Sequence, residues 1–92
     1  MKLPEIKTFH PTESTLEQAS KVFEEASELF AASVLCSVGA ETKTHVYEEA
    51  IDVLQAVVNF LDLELTEAEI EALYRVNLIK NDKPERYGQY MN

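Results

Sequence analysis

Apolar residues recur at helical spacing in three stretches separated by polar breakers. From about Ser14 to Ser37, Leu16, Ala19, Phe23, Ala26, Phe30 and Val34 follow one another at alternating steps of three and four. That spacing makes a stripe along one side of a helix, the side that faces a bundle. Thr12 or Ser14 is placed to cap this helix, with Glu13 and Glu17 near its positive end. The run Val38-Gly39-Ala40 supplies its stop. A second helix is predicted from about Thr44 to Leu63. Its apolar positions, from Val46 and Tyr47 through Val57 and Val58 to Leu61, cover most of the circumference. A helix apolar nearly all round needs cover on several sides. A third signal begins at Thr66, where Thr66-Glu67-Ala68-Glu69 has the capping-box pattern of a hydroxyl followed three residues later by a carboxylate. Ile70, Leu73, Tyr74, Asn77 and Leu78 continue it. The expectation is an all-α chain of three main helices.

Ninety-two residues allow one domain, with residues 1–12 as an N-terminal arm and 82–92 as a polar tail. A domain of this size buries only about two-thirds of its unfolded surface. Three helices offer little cover for the second one, so the bundle is expected to be completed by oligomerisation, as a homodimer or homotetramer. A hydrophobic content of 46% argues against a disordered acidic tail. Eight Lys and Arg stand against 17 Asp and Glu, a formal net charge of −9. That balance disfavours nucleic-acid polymers as partners and suits a protein that handles cations, or anions bridged by cations. The basic residues after position 72, Arg75, Lys80, Lys83 and Arg86, give the acidic body a mildly basic end. A single cysteine, Cys36, excludes an intramolecular disulfide and suits a reducing compartment. No signal peptide or membrane span is expected, which together predict a cytoplasmic location.

Two acidic motifs change the picture. The first helix reads Glu24-Glu25-Ala26-Ser27-Glu28, and the second Glu48-Glu49-Ala50-Ile51-Asp52. Residues three apart on a helix project from nearly the same side, one turn apart. Each motif therefore offers two carboxylates to one region, and adjacent helices bring four together. Four converging carboxylates repel strongly unless cations neutralise them. Oxygen ligands favour Mg²⁺, with Mn²⁺ possible, whereas zinc usually takes thiolate or imidazole. At about 100° per residue, Glu49 falls among Val53, Ala56 and Phe60, an apolar arc where an unliganded carboxylate is costly. Asp52 and Asn59 fall together on the polar edge.

Glu25-Ala26-Ser27-Glu28 followed by Glu49-Ala50-Ile51-Asp52 resembles the signature of MazG-like nucleotide pyrophosphohydrolases, in the all-α nucleoside triphosphate pyrophosphatase superfamily. The likeness spans roughly residues 16–64. Lys21 one turn before the first pair and the apolar run to Asn59 are similar context, and the segment Lys80–Gly88 is more weakly similar to tails of small phage-type members. The resemblance implies an enzyme that uses Mg²⁺ to cleave a nucleoside triphosphate between the α and β phosphates. It makes Glu25, Glu28, Glu49 and Asp52 metal ligands, with Glu28 also orienting or deprotonating the attacking water. Lys21, Lys80 and Arg86 are expected at phosphate oxygens and Asn59 at sugar or base. Phosphoribosyl-ATP pyrophosphohydrolase looks like a relative with similar acidic helices, and nothing in the sequence reads the base. A non-catalytic helical dimerisation module, acidic for solubility alone, is the rival from another class.

The remaining candidates read as structural. His10 and His45 lack a Cys or Ser partner at a telling spacing and are expected to be structural or solvent-facing. Cys36 is expected to be a small buried residue, and Phe23 and Phe30 to lie in the core. Tyr47 and Tyr74 offer faces for a base or for simple packing, and Tyr87 and Tyr90 in the tail cover a site or pack on a partner subunit.

Overall fold

The computed structural model describes residues 2–12 and 14–82. Among these the chain is all-helical, with α1 at Thr15–Ser37, α2 at Lys43–Asp62 and α3 at Glu67–Asn81, and no strand.

Each helix starts at a hydroxyl cap. The Ser14 side chain accepts from the Glu17 amide, and Thr42 accepts from the His45 amide at 3.1 Å. At Thr66 the box closes in both directions: the Glu69 amide donates to the Thr66 hydroxyl at 3.2 Å, and the Thr66 amide donates to Glu69 Oε1 at 3.0 Å. Each cap satisfies a helical N–H that has no partner in the helix. The Thr66 amide also holds the Glu69 carboxyl below the usual carboxylate range. The first helix stops at Gly39, whose φ of 78° lies in the left-handed region. The Ala40 amide then reaches back to the Leu35 carbonyl at 2.8 Å, the six-to-one bond of a Schellman stop.

The short link at residues 38–42 folds α2 back along α1. The pair is antiparallel: Thr15 Oγ1 donates to Glu64 Oε1 at 2.5 Å near one end, and Gln18 Nε2 donates to the Ala56 carbonyl at 3.1 Å further in. The covered side of α1 carries Gln18, Val22, Glu25, Leu29, Ala32 and Cys36. On α2 and its C-cap the corresponding positions are Val46, Glu49, Val53, Ala56, Phe60 and Leu63. Both series step by three and four, as facing seams of paired helices do.

This seam differs from the one expected for α1. Phe23 and Phe30 are not core residues: they are 75% and 72% exposed, and Leu16 is 80% exposed. The expected stripe lies on the outer side of the helix, and the inner side is the one that includes Gln18 and Glu25. Among the described residues the buried apolar ones are Ala32 and Ala56. The second helix, expected to be covered on several sides, still shows Tyr47 and Ile51 to solvent. Cys36 is half-buried. The third helix has no buried residue. No helix among the described residues is long and apolar enough to cross a membrane.

The arm is tied to α2 by hydrogen bonds. The Phe9 amide donates to Asn59 Oδ1 at 2.9 Å, and Gln55 Nε2 donates to the Lys7 carbonyl at 2.8 Å. His10 Nε2 lies 2.7 Å from Asp62 Oδ2. That contact holds the Asp62 carboxyl below its ordinary range.

Candidate metal centre

Glu25 and Glu49 occupy the facing seams, so the helix pairing that hides Ala32 and Ala56 also encloses two carboxylates. Each side chain is 15% exposed. Asp52, one turn beyond Glu49, completes the group. One oxygen from each of Glu25, Glu49 and Asp52 can be chosen so that all lie within 4.8 Å of one another. Two unit charges about 4 Å apart near a protein surface repel by roughly 4 kcal/mol. Three carboxylates in that arrangement repel one another, and a bound cation would relieve the repulsion.

Glu28 borders the same group. Its carboxyl is pushed above the usual Glu range, chiefly by the charge of Glu25, then by partial desolvation, with further contributions from Glu49 and Glu24. Glu48 is exposed.

Two side chains flank the cluster, each one turn before the carboxylate it meets. Lys21 Nζ lies 3.4 Å from Glu25 Oε1 and 3.6 Å from Glu24 Oε1. These partners, Glu24 first, raise the Lys21 ammonium above its ordinary value. His45 Nε2 lies 3.3 Å from Glu49 Oε1 and 3.8 Å from Glu41 Oε2. His45 thus meets one oxygen of Glu49. The other, Oε2, is buried with no hydrogen-bond partner. An orphaned buried carboxylate oxygen is costly in a folded protein, and a metal ion is one group that satisfies it. The donor set is carboxylate oxygen throughout, which fits Mg²⁺ or Mn²⁺ better than a soft metal.

A groove of about 230 Å³ runs from these acids toward the arm. Lys21, Glu25 and Asp52 line one end, and Gln55, Asn59 and Pro11 the other. Asn59 is 6% exposed. Its Oδ1 accepts from both the Phe9 amide and Gln55 Nε2, each at 2.9 Å. The residue expected at sugar or base is therefore engaged with the chain's own arm. Lys80 sits in the last turn of α3 and does not line the groove. Arg86, Tyr87 and Tyr90 lie outside the described residues.

His45 and Gln55 are the additions that the sequence reading did not make. His45 is detectable from the spacing Glu41-x-x-x-His45-x-x-x-Glu49, which puts an imidazole between two carboxylates on one helix side. Gln55 carries no comparable signal. No known protein family, curated protein or solved structure matches the chain.

Proposed function

We propose that the protein is a Mg²⁺-dependent nucleoside triphosphate pyrophosphohydrolase, cleaving between the α and β phosphates to give a nucleoside monophosphate and pyrophosphate. The observation that carries this reading is the buried, unpartnered Oε2 of Glu49 beside oxygens of Glu25 and Asp52. The likeness to MazG-like enzymes over residues 16–64 supplies the reaction. Glu25, Glu28, Glu49 and Asp52 are the residues that would hold the ion. Bound there, Mg²⁺ would supply charge neutralisation for the polyphosphate and a more acidic water.

The chain's own groups then have distinct tasks. Lys21 offers an ammonium at the edge of the acids, where phosphate oxygens gain charge during transfer. Glu28 accepts the proton of the attacking water, as an exposed carboxylate at the border of the group. As the water oxygen bonds to phosphorus, the bond from the α phosphorus to the bridging oxygen breaks, and pyrophosphate leaves with that oxygen. Lys80 and Arg86 belong to this reading as phosphate contacts supplied from a neighbouring subunit or from the tail.

The assembly proposed with this function is a homodimer or homotetramer. Leu16, Phe23 and Phe30 stand seven residues apart and face solvent. A seven-residue apolar repeat on an exposed helix side is the pattern that seats another helix. The same stripe supports the second reading, a helical self-association module without catalysis.

One experiment separates them. Pyrophosphate release is measured over a panel of NTPs, dNTPs, phosphoribosyl-ATP and modified nucleotides, with and without Mg²⁺. Metal-dependent turnover of any member is the expected result. No turnover on the whole panel at any Mg²⁺ concentration favours the module.

A further inference from the structure

The N-terminal arm is held to α2 by polar clasps more than by burial. Leu3 and Phe9 are each about half exposed (49% and 51%). Leu3, Pro4 and Ile6 meet Ile51 and Leu54 in a shallow surface pocket. Against this slight apolar contact stand three bonds in sequence along one side of α2: Gln55 to the Lys7 carbonyl, the Phe9 amide to Asn59, and His10 to Asp62. Asn59 is buried and its carbonyl oxygen takes two donors, so the middle bond of the clasp is part-buried while the two outer ones lie at the surface. A segment with few buried apolar contacts and a short row of hydrogen bonds opens at low cost compared with the helices beneath it.

The clasp closes on the groove. Pro11 follows directly after the bonded residues and forms part of the groove wall together with Lys21 and Glu25. With the arm in place the groove holds about 230 Å³. Sites that enclose a ligand of drug or nucleotide size span about 300–1,000 Å³. The arm also engages the side-chain carbonyl of Asn59, a residue of the groove wall.

We propose that residues 7–11 are a releasable strap that ends in the groove wall at Pro11, latched by Asn59 and Gln55, and that a nucleotide filling the groove displaces it. The displacing ligand rests on the pyrophosphohydrolase reading; the latch does not. Asn59 is on this account a positioning residue for the strap in the free protein, and its carbonyl is released when the strap lifts.

The test is amide hydrogen exchange on the full chain, read at Phe9. In the wild type the Phe9 amide is expected to exchange at least about tenfold more slowly than an unbonded amide. Asn59→Leu removes the acceptor and is expected to abolish that protection, with the Leu29 amide in α1 unchanged. Gln55→Ala, at a half-buried position, gives a smaller loss in the same direction. Saturation with Mg²⁺ and each α,β-imido deoxynucleoside triphosphate is expected to release Phe9 in the wild type, and Asn59→Leu to bind the nucleotide several-fold more tightly. Equal Phe9 exchange in the wild type and both variants overturns the latch. Phe9 protection that survives nucleotide saturation overturns the strap and makes the arm a fixed wall. Failure of every nucleotide to bind either protein counts against the pyrophosphohydrolase reading, and the variants alone then decide the latch.

Discussion

Glu49 is where the physical tension in the molecule concentrates. Helix pairing encloses it, His45 meets one of its oxygens, and the other has no donor. Without a cation this arrangement opposes folding, so Glu49→Gln is expected to raise the melting temperature of the metal-free protein while abolishing pyrophosphate release. Calorimetry and the product assay check the two halves. The same argument gives a pH dependence at Glu28. Its folded-state carboxyl binds a proton more tightly than an ordinary Glu. The unfavourable contribution is therefore present above that raised value and is relieved as pH falls through it. Metal-free protein is expected to gain melting temperature as pH falls from neutrality through that raised value, and Glu28→Gln to flatten the rise. An unchanged slope in the variant contradicts the assignment of the repulsion to this residue.

At the scale of the helices, the capping signals carried most of the information. Ser14 and Thr66 were legible because a hydroxyl ahead of a carboxylate has one economical use at a helix start, and Gly39 because a helix stop takes the left-handed conformation. The side of α1 that faces α2 was not legible. A search for apolar periodicity finds Leu16, Phe23 and Phe30, whereas the buried seam interleaves Val22, Leu29 and Ala32 with Gln18 and Glu25. Polar residues on a seam look like surface to such a search. The acidic motifs were readable from spacing, but the arm's engagement of Asn59 was not, because a contact across 50 residues leaves no local mark. The third helix depends on its cap more than the others do, since it buries nothing. Thr66→Ala is expected to lose part of the helical signal at residues 67–81 without moving the main unfolding transition; helix caps are worth about 0.5–2 kcal/mol. The Glu69 carboxyl, held low by the Thr66 amide, stabilises α3 above the ordinary Glu value of 4.5 and loses that contribution as pH falls through its lowered folded value. Acid titration followed by NMR should therefore melt α3 before α1 and α2. Simultaneous loss of all three contradicts the picture.

The whole molecule is short of interior. Among the described residues two alanines are the buried apolar ones, while Leu16, Phe23 and Phe30 stand in solvent along one side of α1. Burying a Leu or Phe side chain contributes about 1.5–3 kcal/mol, a large share of a small domain's stability. Association through that side is expected to supply what the single chain lacks. Phe23→Glu with Phe30→Glu should give a monomer in sedimentation velocity, with a melting temperature no longer dependent on protein concentration. A dimer or tetramer that survives both substitutions places the contact elsewhere.

The account turns on whether a divalent ion binds among Glu25, Glu28, Glu49 and Asp52. Mn²⁺ titration followed by electron paramagnetic resonance reads this without any assumption about substrate. The wild type is expected to take up Mn²⁺ saturably, in competition with Mg²⁺, and Glu49→Gln to weaken that uptake at least about tenfold, on the scale of lost metal-site interactions. Equal Mn²⁺ affinity in the two proteins would contradict it.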